Sequence, residues 1–406
     1  MKLKYDRELI KKQAAEHGYL RNNFEKMLRL TDFLSFIEQA PILSKDLALK
    51  GGTAINLTIL RLPRLSVDID LDLAENVSLS ELAVRRQAIT NAIQTYMMDE
   101  GFELSDKTKH SHSLDSFVCA YMNVDGNRDI VKIEINYSQR CHILPLEKRP
   151  IVTIGVFKPA VVQIVSPIEI FAGKINALLE RAAARDPFDV NNMVLANLFD
   201  EKQQDMLRKC TVFYSAISSK NAPMEFNYDS MNDITYYKIR TGLTPVICRH
   251  ERFDFVVAKE RVKKYLSSLL VLTDNEREYL TAFRNGNYRP ELIFEGEMLD
   301  RIKKHPMVAW KMSHSVPKLK RRCGINSGLQ ELNENVPIGD EKHYIPNAPA
   351  FGTKEMKDIG CEYEKETGQW FYLDPDKAQE AVKFLQEREQ RRGVDGIKKN
   401  TKSIDF

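Results

Sequence analysis

The chain has 406 residues, of which 43% are hydrophobic and 29% charged, and its formal net charge is +3. That length provides for two or three domains, each with its own core, and the composition is that of a soluble globular protein rather than a disordered or fibrous one. So small a net charge excludes bulk attraction to nucleic acid and leaves any basic surface to local clustering.

Residues 5–40 carry apolar positions near a 3.6-residue period and predict helix, most clearly in NNFEKMLRLTDFLSFIEQ. Residues 47–50 predict a short strand. Gly51-Gly52-Thr53 turns it into a helix reaching about Leu60, which Pro63 ends. The strand that follows is acidic. Asp68, Asp70 and Asp72 point to one face, and Val67, Ile69, Leu71 and Leu73 to the other. A capping-box signature at Ser78 and Glu81 opens a helix over 78–98. Residues 102–104, 116–122 and 130–137 predict strands, the last two joined by a hairpin turn at Asp125-Gly126.

Ser166-Pro167-Ile168-Glu169 carries a capping Ser, a Pro at the first helical position and a Glu three residues after the cap. The helix it opens runs through EIFAGKINALLERAAAR, and Asp186-Pro187 closes it while capping the next. The pattern stays mostly helical to about residue 312, including 252–272 and a capping box at Thr273 and Glu276. A basic run followed by Gly, Asn, Ser and Pro reads as a linker over 318–350. Residues 351–392 predict a small helix, hairpin, helix module with strands either side of Glu366-Thr367-Gly368, and 393–406 a disordered tail. The expected division is a core over 1–160, a helical lobe over 161–317, then the linker, module and tail.

Six cysteines (Cys119, Cys141, Cys210, Cys248, Cys323 and Cys361) show no Cys-x-x-Cys spacing, so neither a structural zinc nor a disulfide framework is expected. The polar N-terminal stretch lacks the apolar core of a signal peptide, and nowhere do eighteen uncharged apolar residues run together. A cytoplasmic protein with reduced thiols is expected. His110-Ser111-His112 reads as a solvated loop rather than a metal pair, and Trp370-Phe371 as core of the small module.

Adjacent same-face carboxylates repel unless a cation lies between them, so Asp68 and Asp70 point to a hard divalent ion, Mg²⁺ where phosphates are handled. The alternative is an edge strand with a charged outer face. Gly51 and Gly52 let backbone amides approach a phosphate; Thr53 can bond a phosphate oxygen or cap the helix. Glu134 supplies a third carboxylate from a neighbouring strand, or is a solvated glutamate on a half-exposed one. Lys174, Arg181 and Arg185 fall on one helix stripe that can hold a triphosphate or stay solvated. Asp186 can orient Arg185 or cap a helix, and Asp189 can join it.

Gly-Gly-Thr, then Arg64, Ser66, Asp68 and Asp70 spaced as R-x-S-x-D-x-D, then KIEIN, then SPIEIFAGKINALLERAAARDPFD, resemble the AbiEii/AbiGii toxin family over roughly residues 20–312. The resemblance implies an α+β, polymerase-β-type nucleotidyltransferase fold, with a small mixed sheet flanked by helices and a helical second lobe. It implies Asp68, Asp70 and Glu134 as metal ligands for two Mg²⁺ ions, and catalytic roles for these three with Lys174 and Asp186. Gly51, Gly52, Thr53, Ser66, Lys174, Arg181 and Arg185 would bind the nucleotide. The implied activity is a type IV toxin that moves a nucleotide from an NTP to RNA, with the tRNA 3′ end as acceptor, alongside a cognate antitoxin encoded nearby. Two alternatives stand beside it: transfer to a small-molecule or protein hydroxyl, and a nucleotide-binding module without turnover.

Overall fold

The helical periodicity at the start of the chain folds as two helices, α1 (Arg7–Glu16) and α2 (Arg21–Gln39). Between them Gly18 adopts a φ of 74°, the left-handed conformation in which glycine ends a helix without a Cβ penalty. The structure is a computed structural model that describes residues 5–181, 183–219, 221–250, 253–313, 343–344, 362–364 and 369–372. It divides into two compact units, Met1–Asn326 and Ser327–Phe406.

In the first unit α3 (Pro41–Asp46) leads into β1 (Leu47–Lys50). The glycine turn then starts α4 (Gly51–Ala54), which continues as a π-turn over Ile55–Ile59. Two left-handed residues, Arg61 and Leu62, stop it before Pro63. β2 (Asp68–Leu73), α5 (Leu79–Asp99), β3 (Glu103–Leu104), β4 (Lys109–His110), β5 (Leu114–Met122), β6 (Arg128–Asn136), β7 (Glu147–Pro150) and β8 (Val161–Ile164) follow. The remainder is helical: α6 (Pro167–Glu180), α7 (Arg185–Leu195), α8 (Glu201–Ser218), α9 (Tyr236–Gly242), α10 (Phe255–Leu269), α11 (Asp274–Arg284) and α12 (Gly296–Ile302).

The sheet runs β3-β5-β6-β2-β1-β8-β7, with β4 also paired to β5. β2 is antiparallel to β1 and parallel to β6, and β1 is parallel to β8. The acidic strand is therefore central, which removes the edge-strand reading. Its apolar alternates, Ile69, Leu71 and Leu73, are buried with Ile133 and Ile135 of β6 in one continuous core. Burial of each such side chain contributes about 1.5–3 kcal/mol, enough to hold the opposite, acidic face in register. The core reaches through α6, α8 and α11 to Val308, so the helices after β8 belong to the same compact unit as the sheet.

Local signals were overridden at three places. α6 stops at Glu180, and Arg181 is already extended with φ −135° and ψ 143°, so Lys174, Arg181 and Arg185 do not share one helix stripe. Arg181 pairs with Asp186 across this break, and Lys174 pairs with the same carboxylate. Asp186 is not a cap: the cap position of α7 is Ala184, and Asp186 sits in the first turn. At Ser166 no side-chain cap bond forms. Glu169 instead accepts the amides of Ile143 (3.0 Å) and Leu144 (2.8 Å) and the Tyr214 hydroxyl. At Ser78 only half the box forms, because the Glu81 carboxylate turns to Arg85. The box at Thr273 and Glu276 is complete.

In the second unit β10 (Glu362–Glu364) and β11 (Gln369–Tyr372) form the expected antiparallel hairpin, and β9 (His343–Tyr344), inside the expected linker, pairs with β11. The expected helices of that module and the tail over 393–406 lie outside the described residues. Among the described residues no helix is long and apolar enough to cross a membrane, and Cys119, Cys141, Cys210 and Cys248 are free thiols. Cys323 and Cys361 lie outside them.

Candidate active site

The glycine turn abuts the acidic strand directly. Gly51 has a φ of 66°, and a Cβ there would run into the Asp70 carboxylate. A Cβ on Gly52 would stand 2.8 Å from Nη2 of Arg64 and 3.1 Å from Oγ of Ser66. The two missing side chains thus make room for Asp70, Arg64 and Ser66, which brings backbone and functional groups closer than any other residue pair allows. Thr53 is fully buried and its hydroxyl donates to the Asp68 carbonyl, tying the helix start to β2.

Register then sets the carboxylates. Asp70 lies between Lys50 on β1 and Glu134 on β6, and Asp68 lies opposite Lys132. Asp72 is 3% exposed and paired with Lys50 Nζ at 2.5 Å, so it is bound within the fold. Lys50 Nζ also bonds Gln139 Oε1 at 3.0 Å, and Lys132 Nζ holds Glu134 at 2.9 Å. Asp68 and Asp70 differ: among the described residues neither carboxylate has a hydrogen-bond or ion-pair partner. Burial pushes the Asp70 carboxyl above the usual carboxylate range. Asp68 and Glu134 push the same way, against the pull of Lys50 and Lys174. Among the described residues no group of three or more His, Cys, Asp or Glu side chains gathers as a metal cluster. Asp68 and Asp70 form a pair, and Glu134 stands in register beside Asp70 but engaged by Lys132.

Beside them lies a basic cluster. Arg64, 1% exposed, grips Asp189 with its Nε and Nη2 at 2.7 Å each, and its Nη1 donates to the Leu65 carbonyl at 2.9 Å. Lys174 bridges Asp186 at 3.0 Å and Asp189 at 3.1 Å. Arg181 reaches Asp186 at 2.9 Å from a side chain that is 63% exposed, and its hydrogen bond to that carboxylate raises its pKa. Burial opposes the charge on Asp189, but Arg64 and Lys174 outweigh it and hold the carboxyl below its ordinary range. Arg185 is half-buried and has no partner among the described residues. Burial and the neighbouring Arg64 charge lower its pKa, while Asp68, Asp189 and Asp186 draw on it.

Arg64, Lys174, Arg181 and Arg185 face Asp186 and Asp189, four cations against two carboxylates, an excess of two positive charges. Asp68, Asp70 and Glu134 face Lys132, an excess of two negative charges. The two clusters are electrostatically coupled through Lys174 to Asp70 and Arg185 to Asp68. A divalent cation on one side and a polyphosphate on the other would neutralise both.

The structure thus brings together Gly51, Gly52, Ser66, Asp68, Asp70, Glu134, Lys174, Arg181, Arg185 and Asp186. Thr53 comes with them, its hydroxyl spent on the Asp68 carbonyl. Arg64 and Asp189 are the site members that residue-by-residue reading undervalued. The three-residue offset from Asp186 to Asp189, one helix face, was the signal available for the pair. Lys132, two residues before Glu134 on the same strand face, was legible in the same way. His110 lies on β4 with its ring 2.7 Å from Asp115, which Arg86 also holds.

An Asp-x-Asp strand at the centre of a mixed sheet, pressed against a glycine turn and flanked by a basic helix pair, defines a nucleotidyltransferase. Residues 35–244, just over half of the chain, match the family described as nucleotidyl transferase AbiEii toxin, type IV TA system, and the chain belongs to that family of toxins. Among solved structures its fold is similar to that of MenT4, a nucleotidyltransferase toxin from Mycobacterium tuberculosis H37Rv. The TM-score is 0.52 at 15% identity, covering 77% of this chain and 99% of that one. No curated protein sequence matches the chain.

Proposed function

We infer that this toxin moves a nucleotidyl group from an NTP to RNA, at the 3′ end of tRNA, in an Mg²⁺-dependent reaction in the cytoplasm. The observation that carries the reading is the pair of unpartnered carboxylates, Asp68 and Asp70, set between the Gly51-Gly52 turn and the half-buried Arg185. Growth arrest would follow from the altered acceptor, and a cognate antitoxin is the expected partner.

Asp68 and Asp70 fit a hard cation: both are oxygen donors, both lack a protein partner among the described residues, and the raised pKa of Asp70, from burial first and then from Asp68 and Glu134, marks a charge that a cation would stabilise. They would hold Mg²⁺, with Glu134 completing or supporting the site from its pairing with Lys132. When bound, the metal supplies charge neutralisation at the phosphate and at the attacking and leaving oxygens. Arg185, Lys174 and Arg181 attract the triphosphate by their excess positive charge, and Asp186 and Asp189 fix where those cations stand. Gly51, Gly52 and Ser66 let the chain close against the phosphates, and Thr53 holds that turn to β2. An acceptor hydroxyl oxygen then bonds to the α-phosphorus and gives up its proton to solvent, while the bond from that phosphorus to the bridging oxygen breaks and pyrophosphate leaves with the electron pair.

The test offers each α-labelled NTP with Mg²⁺ to total RNA, to protein and to small hydroxyl compounds. Label is expected in RNA of tRNA size. Label confined to protein or small molecules overturns the RNA reading. A rise in Tm with NTP but no label anywhere overturns transfer and leaves a binding module.

A further inference from the structure

Helix α9 (Tyr236–Gly242) buries none of its seven residues. Tyr236 and Tyr237 are 78% and 73% exposed, although tyrosine rings ordinarily lie at least half-buried. The helix meets the core only through the partly buried Ile239, and its place is fixed because both feet of its segment are tied down. Before it, Ser230 Oγ donates to the Leu178 carbonyl at 2.6 Å, one turn after Lys174 on α6 and three residues before Arg181. After it, the Leu65 amide donates to the Val246 carbonyl at 2.8 Å, between Arg64 and Ser66. Ile247 forms a β-bridge with Arg64 itself, and Asn23 Nδ2 donates to the Pro245 carbonyl at 2.7 Å. The segment is therefore an arch whose ends rest on the residues that flank the basic cluster.

After Asp233 its charge has one sign. From Ile234 to His250 the chain carries Lys238, Arg240 and Arg249 and no carboxylate. Lys238 donates to the Asp233 carbonyl, which leaves its charge uncompensated, and Arg240 and Arg249 have no ion-pair partner among the described residues. Exposed neighbouring aromatic rings among uncompensated cations match single-stranded nucleic acid, whose bases stack on the rings while its phosphates meet the cations.

We propose that α9 and the turn after it receive the unpaired end of the RNA acceptor, with Tyr236 and Tyr237 stacking on bases and Lys238, Arg240 and Arg249 holding phosphates. The proposal rests on RNA as the acceptor. Its position accounts for an interaction surface beside the nucleotide cluster rather than inside it. The phosphate contacts direct the strand, and the tyrosines set how its bases lie.

The test compares full-length wild type with the double variants Tyr236→Ala/Tyr237→Ala and Arg240→Ala/Arg249→Ala. All four side chains are exposed, so both variants are expected to fold, and an unchanged rise in Tm with NTP verifies the nucleotide site in each. Binding of a short fluorescein-labelled single-stranded RNA is read by anisotropy across a KCl series. The tyrosine variant is expected to bind roughly tenfold or more weakly. The arginine variant is expected to lose about one to two units of salt dependence. Variants that bind the RNA as wild type does, while wild type labels RNA, overturn the surface and leave the acceptor reading standing. A wild type that neither binds nor labels RNA overturns both. Variants that keep RNA affinity but lose a protein partner assign the face to that partner and overturn the proposal.

Discussion

Asp70 and Asp189 show burial acting on two carboxylates with opposite outcomes. At Asp70 the pull of Lys50 and Lys174 is too weak to offset it, and neighbouring Asp68 and Glu134 add to it, so the proton is held more tightly. At Asp189 the Arg64 fork and Lys174 outweigh it, and the charge is locked in. Asp189→Asn would leave Arg64 buried against a neutral partner and Lys174 with Asp186 alone, and a broken buried pair costs about 3–5 kcal/mol. A depressed folded pKa contributes stability that is present above the unfolded value, about 3.9, and is lost as pH falls through the folded one. The Tm deficit of Asp189→Asn is therefore expected to be full near neutrality and to narrow below about pH 4. A deficit independent of pH contradicts an ionised Asp189. Asp68 and Asp70 were readable in the sequence because strand alternation alone puts them on one face. The Arg64–Asp189 pair was not, since 125 positions separate its members and only the tertiary fold brings them together.

At the scale of elements, β2 and the glycine turn act as one device. The turn needs a left-handed residue at Gly51, and the strand needs the space where its Cβ would stand. Gly51→Ala is expected to cost about 1–2 kcal/mol for the backbone and to displace the Asp70 carboxylate, so transfer falls far more than Tm. Gly126→Ala is the control: its φ is 77° but its Cβ would meet nothing within 4 Å, so it bears the same backbone penalty with transfer intact. Equal losses of transfer in the two variants would contradict the role of Gly51. The strands, the turn and the hairpin at Gly126 were legible because alternation and turn chemistry are local. The break between α6 and α7 was not, because Glu180, Arg181 and the alanines all favour helix. The pairing of Lys174 and Arg181 with Asp186 accompanies the break, and it is a tertiary contact that local propensity does not carry.

Across the whole molecule, one core joins the sheet to the helices that carry Lys174, Arg181, Arg185 and Asp186, so the acidic and basic clusters are held in one body. The sequence divides these parts near residue 160, as pattern changes from strand to helix, but packing does not follow that change. The chain's toxin family and its mixed-sheet fold agree with a site in which charge is separated by design: excess negative charge on the strands, excess positive charge on α6 and α7. Asp70→Asn tests that claim most directly, with label transfer from NTP to RNA measured against wild type and Tm as the control for folding. Removing a half-buried carboxylate that is repelled by its neighbours is expected to leave Tm at or above the wild-type value, while transfer falls on the order of a thousandfold, as loss of several kcal/mol at the reacting phosphate requires. A folded Asp70→Asn protein that transfers label at the wild-type rate would contradict the account.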